Sequence, residues 1–112
     1  MAVFVSNIVI EQGFDFDTTF ILEDTTTGDY LDLTNYTVSS QLRKTYTSSS
    51  AVSFASTITN AQLGQVQISL GSATTLDIKS GRYVFDVKIT SSGGSISKVV
   101  EGSALVRPGV TR

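Results

Sequence analysis

Gly81-Arg82-Tyr83-Val84-Phe85-Asp86-Val87-Lys88-Ile89-Thr90 reads as a strand more plainly than any other stretch of this chain. Tyr83, Phe85, Val87 and Ile89 share one face of an extended backbone, and Arg82, Asp86 and Lys88 share the other, because side chains alternate with period two along a strand. β-Branched and aromatic residues suit a pleated, half-buried surface, and branching at Cβ costs them χ1 freedom in a helix. The pattern recurs on both sides. Val66, Ile68 and Leu70 alternate with Gln65, Gln67 and Ser69. Earlier, Phe14, Phe16, Thr18, Phe20 and Leu22 fall on one side of a segment, and Tyr36, Val38 and Leu42 mark the inner face of a run that reaches Tyr46. Val52, Phe54 and Ile58 repeat the alternation more weakly between Ala51 and Thr59, which predicts an edge strand. A last strand is predicted from about Ile96 to Val106, with Pro108 beyond it because proline has no N–H for a ladder.

Turn chemistry separates these runs. Asp24-Thr25-Thr26-Thr27-Gly28-Asp29 predicts a hairpin or sharp corner before Tyr30-Leu31-Asp32-Leu33. Asn60-Ala61-Gln62-Leu63-Gly64 is a turn, and Ser91-Ser92-Gly93-Gly94-Ser95 is a tight hairpin loop in which glycine takes the positive-φ positions. The one helical piece, Ser72-Ala73-Thr74-Thr75-Leu76-Asp77, amounts to about one turn and reads as a crossing between two sheets. Roughly seven or eight short strands with turn signals every eight to twelve residues predict an all-β, antiparallel β-sandwich, with a small barrel as the competing architecture.

The full length of 112 residues and 11.9 kDa allows one domain, residues 1–112, around one core. Eight Lys plus Arg against ten Asp plus Glu give a formal charge of −2, too weak a field to gather nucleic acid or an anionic membrane. Cysteine and histidine are absent, which removes disulfides, thiolate nucleophiles, Ser-His triads and the usual zinc, copper and haem ligands. Met1 to Ile10 lacks the basic start and small-residue cleavage site of a signal peptide, and no apolar run approaches the roughly 20 residues of a membrane-spanning helix. The expectation is a soluble protein made in a cytoplasm.

Few residues suggest chemistry. Asp15 and Asp17 share a strand face and Asp24, Asp29 and Asp32 gather near the next turn, yet their spacing matches no calcium loop, and a solvated face is the plainer reading. A glycosidase would need two carboxylates roughly 5 to 10 Å apart across a cleft, for which so small a chain has little wall. Tyr30, Tyr36, Tyr46 and Tyr83 could stack on sugars if exposed together, although tyrosine at strand spacing usually packs in a core with a hydrogen-bonded tip. Asn35-Tyr36-Thr37 fits the glycosylation pattern but has no meaning without secretion, and Gly93-Gly94 lacks the lysine and helix of a phosphate loop. No cofactor and no metal are expected. What remains is surface: Ala2 to Ile10 is an uncharged edge-strand candidate with few gatekeeping charges, open to another subunit unless its own domain covers it.

Ile10-Glu11-Gln12-Gly13-Phe14, Leu31-Asp32-Leu33-Thr34-Asn35-Tyr36, Gly81-Arg82-Tyr83-Val84-Phe85-Asp86-Val87 and the closing Glu101-Gly102-Ser103-Ala104-Leu105-Val106-Arg107-Pro108-Gly109-Val110-Thr111-Arg112 together resemble the small immunoglobulin-like modules of tailed-bacteriophage virions, such as baseplate, tail-associated and head-decoration proteins. The resemblance covers nearly the whole chain. It implies an immunoglobulin-like sandwich without the Cys-Trp-Cys core of antibody domains, acting as a non-catalytic structural or docking module in a virion assembled in the host cytoplasm. Implied partners are other virion proteins and further copies of the chain, with no nucleic acid and no membrane. The expected contact residues are Val3, Val5, Ile8 and Ile10 on the first strand and Pro108 and Val110 in the tail. A carbohydrate-binding or host-adhesion module is the alternative, and a small hydrolase a third.

Overall fold

In the computed structural model, which describes residues 4–23 and 28–110, nine strands form two sheets joined by one short helix. The strands are β1 (Phe4–Val5), β2 (Ile8–Glu11), β3 (Phe16–Ile21), β4 (Thr37–Arg43), β5 (Val52–Ser53), β6 (Ala55–Asn60), β7 (Gln65–Leu70), β8 (Gly81–Thr90) and β9 (Ile96–Arg107), with α1 (Ser72–Asp77) between β7 and β8. The larger sheet runs β1-β9-β8-β4-β5, with β2 also on β9, and the smaller runs β3-β7-β6. The chain is therefore all-β in two layers, and α1 is the expected crossing from one sheet to the other.

Two features correct the sequence reading. The pairing is not wholly antiparallel: Phe4 lies beside Val100 and Ile8 beside Ala104, so β1 and β2 run parallel to β9. There are also nine described strands, more than the seven or eight expected, and two predicted runs are broken or cut short. Phe54 interrupts the predicted Ala51–Thr59 strand, its N–H donating to the Ser40 carbonyl at 3.0 Å, so that β5 pairs with β4 and β6 with β7 in the opposite sheet. The run predicted to reach Tyr46 stops at Arg43, whose guanidinium donates to the Ser48 carbonyl at 2.6 Å and holds the chain in a loop. Tyr30 to Leu33 contributes only an isolated bridge from Tyr30 to Glu23.

Between the layers lie Ile10, Leu33, Leu42, Val66, Ile68, Val87, Ile89, Val99, Val100 and Val106, all nearly or fully excluded from water. Phe54, at the switch between sheets, packs its ring 6.2 Å from Phe16 and 6.3 Å from Phe85, the latter edge-on at 70°. Val99 and Val100 are both buried although adjacent. A bulge sets Val87 opposite Val100 but Lys88 opposite Lys98, so the inward face of β9 changes parity there. At the far corner Gly64 takes φ +65° and a Cβ would lie 2.5 Å from the Leu22 carbonyl oxygen, so only glycine fits. Its own carbonyl accepts the Leu22 N–H at 2.8 Å.

Candidate interaction edge and end groove

The first strand borders the larger sheet. Ser6 N–H donates to the Glu101 carbonyl and Gln12 N–H to the Arg107 carbonyl, both at 2.9 Å. Residues of that parity turn their backbone groups toward β9, so Val9 and Glu11 turn theirs away from it, toward an edge that no other described strand pairs, where the Glu11 carbonyl accepts the Phe14 N–H at 3.2 Å. Between β1 and β2 the ladder is patched by a side chain: Asn7 Oδ1 accepts from the Ser103 hydroxyl at 2.8 Å and its N–H at 3.4 Å. Gly102 makes the close approach possible, because a Cβ there would overlap the Ser6 carbonyl. At the lower end Arg107 pairs with Glu11, Gln12 Nε2 donates to the Ile78 carbonyl at 2.5 Å and Gly13 N–H to the buried Thr75 hydroxyl at 3.1 Å. That hydroxyl donates on to the Phe14 carbonyl at 2.8 Å, which locks α1 under the strand.

The predicted contact residues divide. Val5 is 72% exposed and Val110 94%, and Pro108 is exposed beside the end of β9. Ile8 and Ile10 point into the core, so only their backbone belongs to the edge strand. Val3 lies outside the described residues. Val9, which the sequence reading passed over, stands 46% exposed next to the open backbone. Its alternation with Ile8 and Ile10 was the available signal.

The carboxylates do not converge. Asp15 accepts the Ser72 N–H at 2.8 Å and so closes the start of α1, and Asp32 accepts the Thr34 hydroxyl at 2.6 Å and its N–H at 3.0 Å. The Thr34 hydroxyl, then the Thr34 N–H, hold the Asp32 carboxyl below the usual carboxylate range. Among the described residues no three His, Cys, Asp or Glu gather as metal ligands, and Asp24 lies outside them. The tyrosines are likewise scattered: Tyr30 and Tyr46 are exposed, Tyr36 packs on the core, and the Tyr83 hydroxyl donates to the Lys79 carbonyl at 2.7 Å.

Two depressions open on the surface of the described residues. One, of about 560 Å³, lies over β4 and β8, bordered by Tyr46, Asp86 and Lys88. The other, of about 880 Å³, opens at the end of the molecule between α1 and the loop after β4. Its floor is Leu42, Val52 and Ile78, and Arg43, Lys44, Lys79 and Asp77 stand around it. Lys44 Nζ sits 4.8 Å over the Tyr83 ring.

No family model and no curated protein matches the chain. Solved structures do resemble it. A mutant of the SrpA adhesin from Streptococcus sanguinis superposes with a TM-score of 0.51 at 12% identity, over 90% of this chain and 54% of that one. A family 123 glycoside hydrolase from Clostridium perfringens gives 0.48 at 14% identity, over 100% of this chain and 24% of that one. An internalin-like protein of Listeria monocytogenes gives 0.46 at 14% identity, over 96% and 28%. This chain thus spans about half the length of the adhesin it matches and a smaller part of the other two. At such identity the adhesin comparison speaks for a shared two-layer β fold alone.

Proposed function

We propose that this chain is a non-catalytic structural module of a tailed-phage virion, in the tail, baseplate or head decoration, that docks other virion proteins and further copies of itself through its sheet edges. The observation that carries the reading is the β2 edge, which no described strand pairs, with the outward backbone groups of Val9 on it and exposed Val5 and Val9 beside it. An extended segment of a neighbour can add to such an edge, taking affinity from main-chain hydrogen bonds and specificity from alternate side chains. The sugar-binding reading has no comparable support, because the tyrosines lie apart.

The finer fold reading is immunoglobulin-like. The order β3-β7-β6 has the form of strands B, E and D, and β9-β8-β4-β5 that of G, F, C and C′. Tyr83 near the start of β8 bonds back to the carbonyl of Lys79, as the tyrosine corner of that fold does, and the buried Phe85 stands where antibody domains carry a cysteine.

Mass spectrometry of density-purified particles from the source that encodes the chain tests the assignment. The expected result is its peptides in stoichiometric amount, and their absence from every particle fraction would overturn it. Val9→Lys places a charge beside the open edge. It is expected to leave the circular dichroism spectrum unchanged and to keep the variant out of particles; normal incorporation would remove the edge from the account.

A further inference from the structure

The cations of this chain come late. All eight Lys and Arg lie at or after Arg43, and three of them, Arg43, Lys44 and Lys79, stand around the end groove with one carboxylate, Asp77. The chain carries a formal −2, so the groove has the opposite sign to the molecule that holds it. None of the three cations forms an ion pair among the described residues. The Arg43 guanidinium donates to two neutral oxygens, the Ser48 carbonyl at 2.6 Å and Gln41 Oε1 at 3.0 Å, and Lys44 rests on the Tyr83 ring, so their charge is not cancelled locally.

Both walls are fixed before anything enters. On one side the Thr75 hydroxyl ties α1 to the Phe14 carbonyl at 2.8 Å. On the other, Ser48 Oγ donates to the Ser50 carbonyl at 3.2 Å and accepts the Ser50 N–H at 3.3 Å, which pins the loop after β4. A preformed site of this kind loses little freedom on binding. The space between the walls, about 880 Å³, lies in the range of ligand sites and admits a short stretch of extended polypeptide. Leu42 and Ile78 are buried at the bottom, and the apolar surface within reach is that of Ala51, Val52 and Ala73. That surface is aliphatic. The aromatic ring in the lining, Tyr83, has Lys44 over its face and its hydroxyl on the Lys79 carbonyl, so the groove offers aliphatic contact and cations and not the bare ring on which a sugar stacks.

We infer that the end groove docks an acidic peptide segment of a partner protein, which sets an aliphatic side chain on Val52 and its flanking carboxylates against Arg43, Lys44 and Lys79. The apolar anchor fixes the position of the segment, and the surrounding charges steer its approach and select its sign. The apolar floor also lowers the local dielectric, which strengthens the attraction for carboxylates. The inference rests on the assembly reading for its choice of a protein as partner, but uses a surface distinct from the β2 edge.

Fluorescence anisotropy of the whole chain tests it, with a labelled peptide in which central leucines are flanked on each side by glutamates. The peptide should bind in about 10 mM salt, where the Debye length is roughly 30 Å, and lose about tenfold or more in affinity at roughly 1 M, where that length is about 3 Å. Serines in place of the leucines, or lysines in place of the glutamates, should weaken binding by about tenfold or more, because each change removes one half of the recognition. Lys44→Glu/Lys79→Glu, at two exposed positions, should lose the glutamate peptide and gain the lysine one, a result that misfolding cannot produce. Val9→Lys, whose charge lies outside the groove lining, should retain the glutamate peptide. Wild type that binds the glutamate and lysine peptides alike overturns the inference, as does reversal of Lys44 and Lys79 without effect, binding that ignores the loss of the leucines, or retention of polygalacturonate in preference to the peptide. Peptide binding is read on the isolated chain and particle content on virions, so either claim can fail without the other.

Discussion

Gly102 and Asp32 show how much a single residue decides here. The Ser6 carbonyl occupies the space where a Cβ of residue 102 would be, and the three nearest atoms are all Ser6 backbone, which cannot swing aside as a side chain can. Gly102→Ala is expected to push β1 and β2 off β9, with loss of amide-exchange protection at Ser6 and Ile10 and a cost of roughly 1–3 kcal/mol in denaturant unfolding, typical of forced overpacking. Asp32 is exposed, and its depressed pKa comes from bonds that favour the charged form. The sign follows: a carboxyl whose folded pKa lies below its unfolded one contributes stability above the unfolded value, near 3.9, and loses it as pH falls through the folded value. Thr34→Val should raise the Asp32 carboxyl titration seen by NMR toward the ordinary range and flatten that acid limb. An Asp32 titration unmoved by the change would show that Thr34 is not its cause.

Among the elements, those specified by their own residues were legible and those specified by distant partners were not. β7, β8, α1 and β9 follow from alternation, from Gly71 and Gly81 flanking the helical turn, and from Pro108 beyond the last strand. The end of β4 was missed because alternation runs on to Tyr46 and carries no sign that the Arg43 guanidinium folds forward on to the Ser48 carbonyl, and the bulge was missed because Val99-Val100 looks like any apolar pair until β8 lies beside it. The groove cations were legible only as ordinary surface charges, since Lys44 and Lys79 meet through the fold and not through a motif. The crossing between sheets ends in a corner that can be tested directly. Tyr83→Phe removes the bond to the Lys79 carbonyl at 2.7 Å while keeping the ring. It should cost about 1 kcal/mol, read as a fall of roughly 4–8 °C in Tm, because a hydrogen bond at a partly exposed site contributes little net. An unchanged Tm would deny the corner any structural role.

At the scale of the whole molecule, the outermost pairing joins residues 96 apart in sequence, as Asn7 and Ser103 illustrate. Loop closure must precede every contact of β2 with β9, and topologies of this sort fold in roughly milliseconds to seconds rather than microseconds. Stopped-flow refolding should fall in that range, with Ile10→Val changing mainly the unfolding limb of the chevron if the edge forms after the transition state. Submillisecond refolding would contradict the topology. The same parallel pair also fixes how the domain answers tension. A load drawing residue 4 and residue 107 apart along the strands would shear β1 and β2 against β9, so the evenly spaced bonds of that ladder would bear it together and not open one by one like a zipper. Single-molecule extension through those two points should give a markedly higher rupture force than extension across the hairpin at Gly93, which would leave this domain stiff along the one direction in which its first and last strands are gripped.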